Sequence, residues 1–164
     1  FFREYLEESE MGDRPGCYDR IEFTKGAETD RFVSFRFSEY SYNGGAHGTT
    51  LYGGVTFRKS DARRIGWDVV APDVYSEELQ TLIRAGLREY WGLSEKDNLK
   101  EYLFDSAAWS VPLPVCPPVF EPDGVRFIYN EYEIASYASG RPTFVVPYER
   151  LEPLMMVTAR RLLR

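Results

Sequence analysis

The six residues Asn43-Gly44-Gly45-Ala46-His47-Gly48 are the part of this sequence best suited to chemistry. Glycines around an imidazole permit backbone angles closed to other residues and let a second backbone or a ligand come close. Successive bared amides can also cup an anion, and the ring can act as a base or a ligand. His47 is, however, the only histidine in the chain, and a triad or metal site needs partners that one ring cannot supply. The motif therefore reads first as a tight connection between strands, with the imidazole bonded to nearby carbonyls. The alternative is a hydrolytic centre in which His47 works with a carboxylate such as Glu133. The segment lacks the Lys-Ser/Thr ending of a phosphate-binding loop and the glycine spacing of a dinucleotide turn. No G-x-S-x-G nucleophile elbow occurs.

Other reactive residues are less directed. Glu131/Glu133 and Asp68/Asp73 could do acid–base work, but nothing in their spacing selects a pair, and carboxylates of this kind are mostly solvated surface. Cys17 and Cys116 have two readings. They either close a long loop in an oxidising compartment, which stabilises by about 3–5 kcal/mol in the chain-entropy picture, or they are unrelated buried thiols. Neither lies in a CxxC, and with one histidine the set is too small for structural zinc. No cofactor is implied. Six tyrosines, Tyr40, Tyr42, Tyr52, Tyr129, Tyr132 and Tyr137, gather near the glycine-rich turn and a later loop. If those segments adjoin, they form an aromatic patch suited to sugar or to a protein partner; otherwise they pack on sheet faces.

These residues need a scaffold, and its pattern is readable. Residues 17–25 alternate around Ile21 and Phe23, and 31–42 alternate more clearly, with Val33, Phe35 and Phe37 on one side and Ser34, Arg36 and Ser38 on the other. The two form an antiparallel hairpin about a turn at 26–30. Residues 49–58 resume as a strand, and Gly53-Gly54 suggests a bulge. After a turn at 60–66 comes a short buried stretch, Trp67-Asp68-Val69-Val70. Ser76 is a helix N-cap followed by acids, the apolar spacing of Leu79, Leu82, Ile83 and Leu87 carries the helix over 77–91, and Gly92 closes it. A shorter helix is expected over 95–103. The four prolines of 111–118 remove amide donors, so that segment crosses the domain extended and buried. Glu121-Pro122-Asp123-Gly124 marks a hairpin leading into a strand with Val125, Phe127 and Tyr129. Residues 134–140 form a loop or one helical turn, Phe144-Val145-Val146 a last strand, and Tyr148–Leu154 a helix that Pro153 interrupts. The basic, amphipathic stretch 154–164 ends the chain. Residues 1 to about 10 are expected to be helical, and since Phe1 to Leu6 reads as the middle of an amphipathic helix, residues upstream are expected to have been removed or not included.

The chain has 164 residues, enough for one domain that folds without a staple. Aromatics reach 16%, which favours sheet and reads mainly as core packing. A net charge of −6 argues against nucleic acid and against an anionic membrane surface as partner, and no apolar run is long enough to span a bilayer. The expected fold is α+β, mainly antiparallel sheet with one long helix at about 77–91 and shorter helices packed on it.

Tyr40-Ser41-Tyr42-Asn43-Gly44-Gly45-Ala46-His47-Gly48, paired about ninety residues later with Tyr132-Glu133-Ile134-Ala135-Ser136-Tyr137-Ala138-Ser139-Gly140, resembles the signature of the RsiV-like extracytoplasmic domain family. Asp123-Gly124-Val125-Arg126-Phe127 and Phe144 to Leu151 fit as well. The resemblance covers residues 30–154 or so. It implies an RsiV-like α+β domain over 30–164, with residues 1–29 the tail of the companion domain that often precedes it. It also implies a bacterial envelope protein, periplasmic or at the cell surface, often a lipoprotein or held by an anchor upstream. The function it implies is binding or sensing of a protein such as lysozyme, or of a cell-wall glycan such as peptidoglycan, and it supplies no catalytic residues. The candidate binding residues are Tyr42, Gly44, Gly45, His47, Tyr132 and Tyr137.

Overall fold

The computed structural model describes residues 16–44 and 46–164; the helix expected over residues 1–10, like Gly45, lies outside that range. Among the described residues six strands form two three-stranded antiparallel sheets, so the α+β expectation holds. The first sheet joins β1 (Tyr18–Glu28), β2 (Phe32–Tyr42) and β3 (Thr49–Arg58) in chain order. The second joins β4 (Val119–Phe120), β5 (Gly124–Ile128) and β6 (Thr143–Pro147). Between the sheets in sequence come the short helix α1 (Trp67–Val70) and the long α2 (Glu77–Trp91). Two further short helices follow β6, α3 (Tyr148–Leu151) and α4 (Val157–Arg160).

The helix signals act as expected. Ser76 Oγ accepts a hydrogen bond from the Leu79 amide, and Gly92 takes the left-handed conformation at φ 64° that ends α2. That helix buries Leu79, Ile83 and Leu87. It comes close to β6 because Gly86, lacking a Cβ, faces the ring of Phe144. Only 99–102 of the helix expected over 95–103 is helical, as a tight 3₁₀ turn capped by Asn98. The core lies between α2 and the second sheet. Val125, Phe127, Tyr129, Ile134, Leu151 and Val70 are fully buried there, with the Trp67 and Phe127 ring centroids 4.5 Å apart.

The proline-rich segment crosses the domain without regular structure. Side chains from α1, α2, β3 and the residue that follows β5 serve its backbone. Gln80 donates to the Val111 carbonyl and accepts from its amide, both at 2.9 Å. The Tyr129 hydroxyl donates to Pro112 at 2.8 Å, and Trp67 Nε1 donates to Pro114 and Cys116 at 3.0 and 2.9 Å. Thr56 Oγ1 donates to Pro118 at 3.0 Å. These bonds satisfy carbonyls that a ladder cannot.

The first sheet departs from the usual sense of alternation. The side that meets the second sheet carries Phe32, Ser34, Arg36, Thr56 and Gly54. It docks onto the free backbone edge of β4, so it needs hydroxyls where a sandwich would place aliphatics. Ser34 Oγ donates to the Phe120 carbonyl at 2.6 Å, and Thr56 Oγ1 accepts from the Phe120 amide at 3.0 Å. Glu121, almost buried, bonds Arg126 at 2.8 Å and lies 3.7 Å from Arg36 across the sheets. Val33, Phe35, Phe37, Val55 and Phe57 consequently point away from the core.

Two expectations are corrected. No bulge accompanies Gly53-Gly54, since β2 and β3 stay in register from Phe32↔Arg58 to Ser41↔Thr49. The glycines serve close packing instead: the Phe37 ring lies over Gly53, and Val119 presses on Gly54. The Cys17–Cys116 bridge is not formed, and both thiols are free. Cys17 adjoins Gly44 at one end of the first sheet, whereas Cys116 Sγ lies 3.9 Å from the Gly54 carbonyl. Gly54 pairs with Arg36, six residues along β2 from Tyr42, or about 20 Å at the usual strand rise, well beyond disulfide reach.

Candidate functional site

The turn between β2 and β3 and the 129–141 loop are far apart in sequence, and the fold brings them together. Asn130 makes the join. Its side chain pairs with the outer edge of β3 as a strand residue would, accepting from the Tyr52 amide at 2.8 Å and donating to the Tyr52 carbonyl at 2.9 Å. Arg141 adds a second tie. Its guanidinium lies 4.6 Å from the Tyr52 ring centroid and donates to Glu131 at 3.2 Å and to the Thr50 carbonyl at 3.4 Å. The Arg141 amide donates to the Tyr90 hydroxyl at 3.1 Å. Gly140 is required next to it, because φ is 77° and a Cβ would fall 2.7 Å from that hydroxyl.

On this frame sits a row of rings. His47 lies 5.6 Å from Tyr137, and Tyr137 lies 6.0 Å from Tyr132, centroid to centroid, all tilted by 31–35°. Tyr132 is 66% exposed, and Tyr137 and Tyr52 are also exposed. Tyr132 holds a φ of 64°, a left-handed conformation rare for an aromatic residue. Backbone strain of this kind concentrates at working surfaces. Exposed rings beside a planar guanidinium can stack on the apolar face of a sugar or anchor a protein partner.

Of the residues singled out from the sequence, His47, Tyr132 and Tyr137 come together. Tyr42 belongs to a neighbouring tyrosine group, with Tyr18 5.9 Å from Tyr42 and 5.6 Å from Tyr40. The Tyr40 phenol is held above its ordinary pKa, first by its hydrogen bond with Tyr18 and then by desolvation. Its ring packs on Gly48, which connects this group to the glycine-rich turn. Gly44 is exposed at φ 78°. Tyr129 does not join the patch. It is fully buried, and burial drives its phenol well above the usual pKa. Burial likewise lifts the Cys116 thiol to about 11.

Sequence reasoning missed Tyr18, Tyr90, Asn130 and Arg141. Tyr90 follows the helical spacing of Leu79, Leu82, Ile83 and Leu87 and reads as a helix-face residue, the other three repeat with no period, and only tertiary pairing gives the four a role at this surface.

The hydrolytic alternative finds no support in the geometry. Glu133 spends both carboxylate oxygens on backbone, accepting from Val115 at 2.6 Å and from Asn130 at 2.9 Å. The His47 Nδ1 contact is with the Gly48 carbonyl at 3.1 Å. Among the described residues no group of three or more His, Cys, Asp or Glu is placed to hold a metal ion, and no helix is long and apolar enough to cross a membrane.

Comparison with known proteins places this architecture. A family model described as a protein of unknown function, DUF3298, matches residues 68–149. The crystal structure of a DUF3298 member from Bacteroides fragilis NCTC 9343 superposes with a TM-score of 0.69 at 24% identity, covering 88% of this chain and 56% of that one. A DUF3298 family protein from Pseudomonas aeruginosa PAO1 gives 0.66 at 20% identity, with 88% and 64% covered. This chain thus spans less than two thirds of the length of either, and at these identities the likeness is one of fold. No curated protein matches.

Proposed function

The chain belongs to the DUF3298 family of proteins of unknown function, and we propose that it is a non-catalytic binding module of the bacterial cell envelope whose ligand is a cell-wall glycan. The single observation that carries this reading is the row His47–Tyr137–Tyr132 beside Tyr52 and Arg141. Its rings are exposed, and its frame is tied by Asn130 and Arg141 rather than left loose. Rings of this kind offer flat apolar faces for pyranose carbons, while the guanidinium and tyrosine hydroxyls bond sugar hydroxyls or acids. A preformed surface also limits the ordering cost of binding.

The RsiV-like resemblance supports the same reading. Its two most specific motifs, Tyr40–Gly48 and Tyr132–Gly140, are the segments that meet at this surface. A protein ligand such as lysozyme is the second reading, favoured by the tyrosine and arginine content typical of protein hot spots. The envelope location, with anchoring through residues upstream, is part of the proposal.

Calorimetric titration with soluble muropeptides and, separately, with lysozyme tests it. The expected result is muropeptide binding that Tyr137→Ala weakens at least tenfold. Lysozyme binding lost in the same variant would select the second reading. No heat with either ligand would reject the module as a binder of both.

A further inference from the structure

The outer side of the first sheet is apolar, carries no core cluster among the described residues, and is patterned to match itself. Its rungs run Asp19–Ser41–Thr49, Ile21–Glu39–Leu51, Phe23–Phe37–Gly53, Lys25–Phe35–Val55 and, past a register shift in β1, Glu28–Val33–Phe57. Phe23 is 67% exposed, and Ile21 and Leu51 are exposed too. None of the apolar residues of these rungs joins the buried core or packs against it. The face is also flat at its centre. The Phe37 ring lies down over Gly53, and Phe23 tilts against it with centroids 5.9 Å apart.

We infer that this face is a homodimer interface, with a second copy of the chain packed on it about a two-fold axis crossing the Phe23–Phe37 rung. Charge argues for a second copy over an unrelated partner. Asp19 and Glu39 make one end of the face acidic, while Lys25 and Lys59, sharing Glu28, leave the other end basic. A two-fold axis across the strands reverses the strand direction in the second copy and lays each acidic end on a basic one. It puts Phe23 and Phe37 against their own equivalents and Lys25 of each copy diagonal to Glu39 of the other. A closed two-fold contact requires such self-complementarity, and an unrelated protein would not.

The size is sufficient but not generous. Three strands of about eleven residues give a footprint of ~36 by ~14 Å, or ~500 Å². Specific interfaces begin at about 600 Å² per partner, so side-chain relief brings the face to the small end of that class. A dissociation constant in the micromolar range is expected. Tyr52, the one strand residue beside the aromatic row, lies on the opposite, inner side of the sheet, so the dimer would offer two such surfaces at once.

Sedimentation equilibrium of the full 164-residue chain from 1 to 200 µM tests the inference. The expected result is reversible growth to twice the chain mass, weaker at high salt. Phe23→Asp should weaken association at least tenfold while leaving circular dichroism and the melting midpoint of dilute protein unchanged. Lys25→Glu and Glu39→Lys should each weaken it, and the double exchange should restore it. A monomer across the whole range would overturn the inference, as would a dimer indifferent to Phe23→Asp or a double exchange without rescue. Intramolecular cross-links from residues 1–15 to Phe23 or Phe37 positions in a monomeric chain would also overturn it, by naming another occupant.

Discussion

In the second sheet the large residues face inward. Val125, Phe127 and Phe144 are buried against α2, and the alternation has its usual sense. In the first sheet the same alternation is turned around: Ser34 and Thr56 are fully buried, while Phe23 and Leu51 are exposed. The difference follows from what each sheet meets. The second sheet packs on the apolar side of a helix, which has no free backbone groups to satisfy. The first packs on β4, whose open edge presents an amide and carbonyls that must be bonded. Burial therefore follows unmet hydrogen bonds as well as apolar area, and a hydroxyl can be the better core residue.

The contrast can be broken most sharply by paired truncations. Phe127→Ala should cost about 3–5 kcal/mol by leaving a cavity, whereas Phe35→Ala on the outer face should cost about 1 kcal/mol or less in dilute monomer. Urea unfolding measures both, and equal losses would undo the distinction. Next in size, Thr56→Val keeps the shape but strands the Pro118 carbonyl and the Phe120 amide, at about 1–3 kcal/mol. Ser38→Ala, on the same side of β2 but beyond β4, should stay within about 0.5 kcal/mol of the parent.

The cysteines sharpen the comparison kinetically. A thiol reagent at pH 8 should take up one equivalent quickly, at half-exposed Cys17. The second should appear only on unfolding, because Cys116 is buried and its pKa is raised to about 11. A chain with no reactive thiol before reductant is added would restore the disulfide.

The smallest effect lies at the rim of the first sheet. Lys59 and Lys25 hold the Glu28 carboxylate down at about 2, against 4.5 unperturbed. A lowered carboxylate pKa stabilises the fold above the unfolded value, and that stability disappears as pH falls through the folded value. The parent should thus lose melting temperature between about pH 4.5 and 2 that Glu28→Gln does not lose. Exposure keeps the effect small, and salt should erase it.

Much of the fold is legible because its local signals agree. Ser76, Gly92 and the spacing of Leu79, Ile83 and Leu87 define α2 without tertiary help, and the alternation at 31–42 defines β2. What alternation cannot give is the direction of burial. Val33, Phe35 and Phe37 would pass for a core face, and only the presence of β4 reverses them. The site shows the same limit. The glycine-flanked His47 and the Tyr132/Tyr137 pair stand out by type and spacing, and they do meet. Asn130 and Arg141, which hold them together, are ordinary loop residues until β3 lies beside them. Tyr129 misleads for the opposite reason, since its buried hydroxyl bonds Pro112 and leaves nothing for a surface.

The proline-rich crossing has a consequence for how this sequence can change. Its carbonyls at 111, 112, 114, 116 and 118 are met by donors from four separate places: Gln80, Tyr129, Trp67 (which serves two of them) and Thr56. The strap works as a ruler. Because the contacts are to backbone oxygen, many residue identities suit it, but adding or deleting one residue would miss every peg after the change. Divergence along this stretch should be free in letters and strict in count.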